Sequence, residues 1–305
     1  MATNTINENV EQAISDFGTI KQAIINKGVQ VPNGTPTSQY GAKIGEIPNG
    51  GSSSDEVFKA IIERTATTLT LPSEITKIGS NVFYFYNTLT YISMPGVTSI
   101  GNNAFGSCTN LALTSLPEGL TSIEGGTFQN CSKLALTSLP SGVTSIGSSA
   151  FSNCTNLALT SLPSGITSIE QYSFNNCTKL ALTSLPSGLT SIRGFAFGYC
   201  TNLALTSLPI SLTNIGLNAF QNCKKLVITS IPSGVTSIGS TAFYGCTGLT
   251  EITFEGTPNS IGSTAFYDCT NLTTIRVPWA EGEVTGAPWG ASNASLIYSY
   301  TPETT

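Results

Sequence analysis

The sequence predicts a repeat solenoid of 23-residue period, built mainly of short β-strands joined by turns and 3-10 segments, with a small α-helical segment ahead of it. Three observations carry this. Cys108, Cys131, Cys154, Cys177, Cys200, Cys223, Cys246 and Cys269 follow one another at a constant step of 23 residues. Phenylalanine keeps the same step three positions earlier, from Phe105 through Phe266. The residue before each of these rings is small: Ala104, Thr127, Ala150, Ser173, Ala196, Ala219, Ala242 and Ala265. A fixed period in the twenties marks coils that stack on one another. A column of rings in a close-packed stack leaves no room beside it for a larger side chain.

Residues 1–49 follow a different pattern. Ile6, Val10, Ala13, Ile14, Phe17, Ile20 and Ile24 recur at three- and four-residue steps, which predicts an amphipathic helix of about 20 residues. Gly28 is its natural stop, with Lys27 in the last turn. A unit this small buries little surface alone, so 1–49 reads as a docking segment or a homo-oligomer contact. Residues 50–56, with Gly50-Gly51-Ser52-Ser53-Ser54, read as a flexible linker. Residues 57–82 then form an N-terminal cap, in which Val57, Phe58, Ile61 and Ile62 give apolar cover. The solenoid proper spans 83–278, its rings running from Phe83 to Phe266, with a first step of 22 residues to Phe105. Residues 279–305 read as a C-terminal cap, with Trp279 and Trp289 as its filling.

One coil illustrates the rest. Leu157, Leu159 and Leu162 predict a short strand closed by Pro163, which cannot donate to a ladder. Ser164-Gly165 turns the chain. Ile166 and Ile169 bracket Thr167 and Ser168, giving a second short strand with its hydroxyls outward. A compact turn from Tyr172 then drives Phe174 inward, and Cys177 closes the coil. Tyr86 takes the cysteine position in the first coil, so that position accepts a plain space-filler. Each cysteine in a stack has two equal neighbours and no unique partner, so the eight read as buried free thiols.

Composition narrows function. Charged residues are 10% of the 305, Lys plus Arg total 12 and the net charge is −5, with no basic patch for nucleic acid. Apolar runs are far too short to span a bilayer. The chain has no histidine, which removes Ser-His and Cys-His nucleophile pairs, and no CxxC metal spacing. No catalytic, cofactor or metal site is expected, and no cofactor. The first residues carry no apolar export signal. Ligand contacts are expected at the variable surface positions around each ring: Tyr172, Arg193, Phe195, Tyr199, Tyr244 and Tyr267.

The unit Val-Thr-Ser-Ile-Gly-x-x-Ala-Phe-x-x-Cys, seen at Val97–Cys108, Val143–Cys154 and Val235–Cys246, resembles the BspA-like or treponemal type of leucine-rich repeat. That resemblance implies a right-handed solenoid, and adhesion or protein binding at a bacterial surface rather than catalysis. Asp16-Phe17-Gly18-Thr19-Ile20-Lys21, with Gly34-Thr35-Pro36 and Tyr40, is similar to a leader on tail proteins of phages and prophages of Gram-positive bacteria. The ending, with Ala287-Pro288-Trp289-Gly290-Ala291, is similar to tails of repeat proteins encoded beside them. These segments imply a tail-associated protein assembled in the bacterial cytoplasm, with a protein or envelope polysaccharide as ligand. A cell-surface adhesin is the alternative.

Overall fold

The computed structural model describes residues 64–301. The helix expected around Ile6–Ile24, the glycine-serine linker and the cover from Val57, Phe58, Ile61 and Ile62 lie outside the described residues.

The described chain is a parallel β-solenoid. Ser168–Ile169, Ser191–Ile192, Asn214–Ile215, Ser237–Ile238 and Ser260–Ile261 form one five-stranded sheet, each strand paired with its counterpart one coil on. The isoleucine of each pair points inward, while the threonine before it is exposed, as at Thr167, Thr190 and Thr236. Those threonine hydroxyls are fixed to the backbone: Thr190, Thr213 and Thr236 each donate Oγ1 to the threonine carbonyl of the preceding coil at 3.0–3.1 Å.

The other expected strand row is corrected by the structure. It is continuous only near the two ends, at Thr68–Thr70 with Tyr91–Ser93, and across Ser230–Ile231, Glu251–Phe254, Thr274–Arg276 and Ser295–Ile297. In the middle coils the backbone bends at Thr114, Thr137, Thr160 and Thr183. Spacing explains the difference. Glu251–Phe254 buries Ile252 and Phe254, two residues apart, which is strand alternation. Leu111, Leu113 and Leu116 place a three-residue gap after the second leucine, and only a bend brings all three inward.

The segment around each ring is a run of turns rather than a 3-10 helix, and its amides alternate in direction. Ala104, Gly106 and Cys108 donate three residues back within their own coil. Asn103, Phe105 and Ser107 between them donate to Gly125, Thr127 and Gln129 of the next coil. That zigzag requires left-handed backbone at two places, two residues before the ring and two after it. Asn103 (φ 52), Gly126 (φ 63) and Asn218 (φ 55) occupy the first; Asn130 (φ 60), Asn153 (φ 61) and Asn176 (φ 57) the second. Glycine and asparagine tolerate this region best. At the second place Asn153 Nδ2 donates to Asn130 Oδ1 at 2.8 Å, and Asn176 Nδ2 to Asn153 Oδ1 at 2.9 Å.

The interior is one spine. Nine rings from Phe83 to Phe266 stack with centroids 5.0–5.7 Å apart and planes within 13° of parallel. All eight cysteines are free and buried. Each thiol donates to the carbonyl of the preceding coil's phenylalanine: Cys154 Sγ to Phe128 O and Cys177 Sγ to Phe151 O, both at 3.0 Å. The same carbonyl also closes its own turn by accepting the cysteine amide, as Phe128 O does from Cys131. Cysteine here is a small buried hydrophobe with one useful donor. In the first coil Tyr86 takes its place, and the phenol oxygen accepts the Ala66 amide at 3.0 Å. At the far end Phe254 packs edge-on against Phe266 and Trp279, Trp289 lies tilted against Phe254 and edge-on to Trp279, and Trp289 O accepts the Phe266 amide.

Candidate functional site

The edge formed by the ring-bearing turns is where the coils differ most. At the left-handed position before the ring, most coils carry Asn, Gly, Ser or Thr, but two successive coils carry Tyr172 (φ 58) and Phe195 (φ 56). Large aromatic side chains in this conformation are strained by about 1–2 kcal/mol each. The two rings stack on one another, centroids 4.8 Å apart and planes 17° from parallel, with both residues partly exposed. Gly198 makes room beside them: a Cβ there would meet Asn175 Nδ2 at 2.8 Å and the Phe195 ring at 3.6 Å.

Tyr199 occupies the second left-handed position (φ 62) and is 41% exposed. Its hydroxyl accepts from Gln221 Nε2 at 3.0 Å, and Gln221 Oε1 accepts from Asn218 Nδ2 at 2.7 Å. Farther along the edge Tyr244 and Tyr267 stack with centroids 5.8 Å apart, and Tyr267 is 53% exposed. Tyr267 and Asp268 also line a recess of about 130 Å³ with Gly290, Ser292 and Asn293. The structure therefore places five of the six expected residues along one edge: two stacked pairs, with Tyr199 between them in sequence and tied to Gln221.

Arg193 stands apart. It lies at the start of the turn, in a row with Glu124 and Glu170, and its Nε meets Glu170 Oε2 at 3.1 Å. Ser168 Oγ donates to the same glutamate at 2.7 Å. The Arg193 side chain is largely in water and that of Glu170 is partly covered, so the pair adds little stability.

Sequence reading missed some of this edge. Phe85, at 56% exposure, repeats the Tyr199 position in the first coil and packs edge-on with Tyr84. Leu217, 50% exposed, lies on the coil beside Phe195 and accepts its amide. Its signal was an aliphatic residue where other coils have Ser, Gly, Asn or Gln. Among the described residues no three metal-ligating side chains gather, and no helix is long and apolar enough to cross a membrane. Burial holds the thiols well above their ordinary range, with Cys200 pushed up to about 12. They are therefore poor nucleophiles.

A search of curated protein sequences gave no match. Among solved structures, a leucine-rich repeat protein from Bacteroides ovatus is similar at 26% identity and TM-score 0.56, covering 75% of this chain and 69% of that one. The T. pallidum leucine-rich repeat protein is 30% identical with TM-score 0.47, over 53% of this chain and 78% of that one. The model of the BspA type leucine rich repeat region matches residues 54–181 and 167–284. With its period, its ring and thiol columns and this match agreeing over nearly all the described coils, the chain belongs to the BspA-type leucine-rich repeat family.

Proposed function

We propose that the chain is a non-catalytic binding protein carried on a phage or prophage tail, presenting its aromatic edge to a component of a bacterial envelope. The observation that carries the binding reading is the Tyr172–Phe195 pair. Two strained, stacked, partly exposed rings occupy positions that Asn or Gly fills elsewhere at lower cost. A rigid scaffold with Tyr and Phe on its face is suited to recognition, because little ordering entropy is lost on contact. The tail assignment rests on the leader-like segment around Asp16–Lys21, with residues 1–49 serving as the docking or self-associating part. A bacterial surface adhesin is the second reading, favoured by the repeat family itself. Tail, baseplate or lysis genes beside the coding sequence support the first; their absence favours the second.

Replacing both rings, Tyr172→Asn with Phe195→Asn, tests the site. Losing the stacked pair costs about 0.5–1.5 kcal/mol, which relief of left-handed strain offsets. Stability by denaturant titration should stay within about 1 kcal/mol of the parent. Binding to purified envelope fractions should fall at least tenfold. Unchanged affinity removes the pair from the site.

A further inference from the structure

The same edge carries a second row that the binding reading does not use. One and two residues after the cysteines from Cys108 to Cys223, the coils read Thr109-Asn110, Ser132-Lys133, Thr155-Asn156, Thr178-Lys179, Thr201-Asn202 and Lys224-Lys225. Lys133, Lys179 and Lys225 thus recur every second coil, with Asn between, and Lys224 doubles the last. All four ammonium groups are on exposed residues, and none has an ion-pair partner among the described residues. From Asn103 to Leu249 the acids are Glu118, Glu124 and Glu170, and none of them lies in the lysine row. The base of the row is rigid: Ser132, Thr155 and Thr178 each donate a hydroxyl to the carbonyl one coil back, at 3.2–3.3 Å.

Two coil steps amount to about 10 Å. Charges that far apart, about a Debye length, repel one another little. The spacing also selects a ligand. A nucleic acid strand presents a phosphate about every 3.4 Å, and an extended acidic peptide a residue about every 3.3 Å, so about two charges in three on either would face no lysine. A straight polymer with one charge every second sugar is in step with it. We propose that this row binds a linear acidic polysaccharide with one ionised group per disaccharide, lying along the solenoid axis beside the aromatic edge. This deepens the binding reading and rests on it only in taking the edge as a ligand surface.

Hyaluronan fragments of graded length, which carry one carboxylate per disaccharide, are the probe, with neutral dextran and polyglutamate as comparators. Fluorescence anisotropy of labelled fragments with the full chain at low salt should show hyaluronan binding, and none to dextran. Affinity should rise at least tenfold as fragments grow long enough to span Lys133 to Lys225, because each added site acts at high effective concentration. It should fall as salt is raised. Lys179→Asn combined with Asn156→Lys keeps net charge but breaks the spacing, and should weaken long fragments at least fivefold without altering thermal unfolding. Replacing Lys133, Lys179, Lys224 and Lys225 by Gln should abolish binding, whereas Lys77→Gln should not change it. Absence of hyaluronan binding, tighter binding of polyglutamate, or indifference to the charge-preserving swap overturns the proposal. If envelope binding responds to the Tyr172 and Phe195 variant but not to salt or lysine, the aromatic reading stands and this one fails. Hyaluronan binding without envelope binding supports the lysine row and removes the aromatic reading.

Discussion

Raising the pH past about 9 should unfold this protein over a narrow range. All eight thiols are buried and neutral in the folded state. Desolvation is the main cause that raises each of them, to about 12 at Cys108, Cys200 and Cys269 and well above the ordinary range at Cys131 and Cys177. In the unfolded chain a thiol ionises near 8.5. Above that pH the unfolded state holds fewer protons than the folded one, so stability falls as pH rises. It is fully present below about pH 8 and is lost progressively until the folded thiols themselves ionise. Each thiol contributes about 1.4 kcal/mol per pH unit, so eight together approach 11 kcal/mol per unit. A typical domain has only about 5–15 kcal/mol to lose. Chemical denaturation at a series of pH values measures the slope directly. Cys154→Ala with Cys177→Ala should reduce it by about a quarter, since two of eight thiols are removed. A slope unchanged by that pair would assign the alkaline loss to tyrosine or lysine instead.

Phe174→Ala should cost about 3–5 kcal/mol. The ring is fully buried at the middle of the column, with Phe151 and Phe197 each 5.5 Å away. Neighbouring coils cannot close the gap, because the inter-coil ladder at Phe151, Phe174 and Phe197 fixes their separation. Phe266→Ala should cost less, since Phe254, Trp279 and Trp289 sit over an end that can settle inward. Denaturant midpoints at constant m-value report both, and a loss below 1 kcal/mol at Phe174 would contradict the buried column.

The column was legible because Phe and Cys hold register without exception from Phe105 to Cys269. The small neighbours, such as Ala150 and Ser173, gave its packing in advance, and both are fully buried. The leucine row was less legible. Leu157, Leu159 and Leu162 look like a strand by composition, and only the gap between the last two reveals the bend at Thr160. Left-handed positions were written as Asn130, Asn153 and Asn176, but Tyr172, Phe195 and Tyr199 hid the pattern by placing aromatics in the same conformation. Those residues are found by their side chains and explained only by their backbone. The tie between Tyr199 and Gln221 joins two coils, and nothing in a linear reading places Gln221 against that hydroxyl.

Strand pairing, turn amides and thiol donors all run from one coil to the next. A duplicated or deleted 23-residue unit would therefore create no junction the molecule does not already contain, and its reach is adjustable in whole rungs. Removing one rung from the row, however, would set two lysine-bearing or two asparagine-bearing coils side by side, so the smallest change that preserves the surface pattern is a pair.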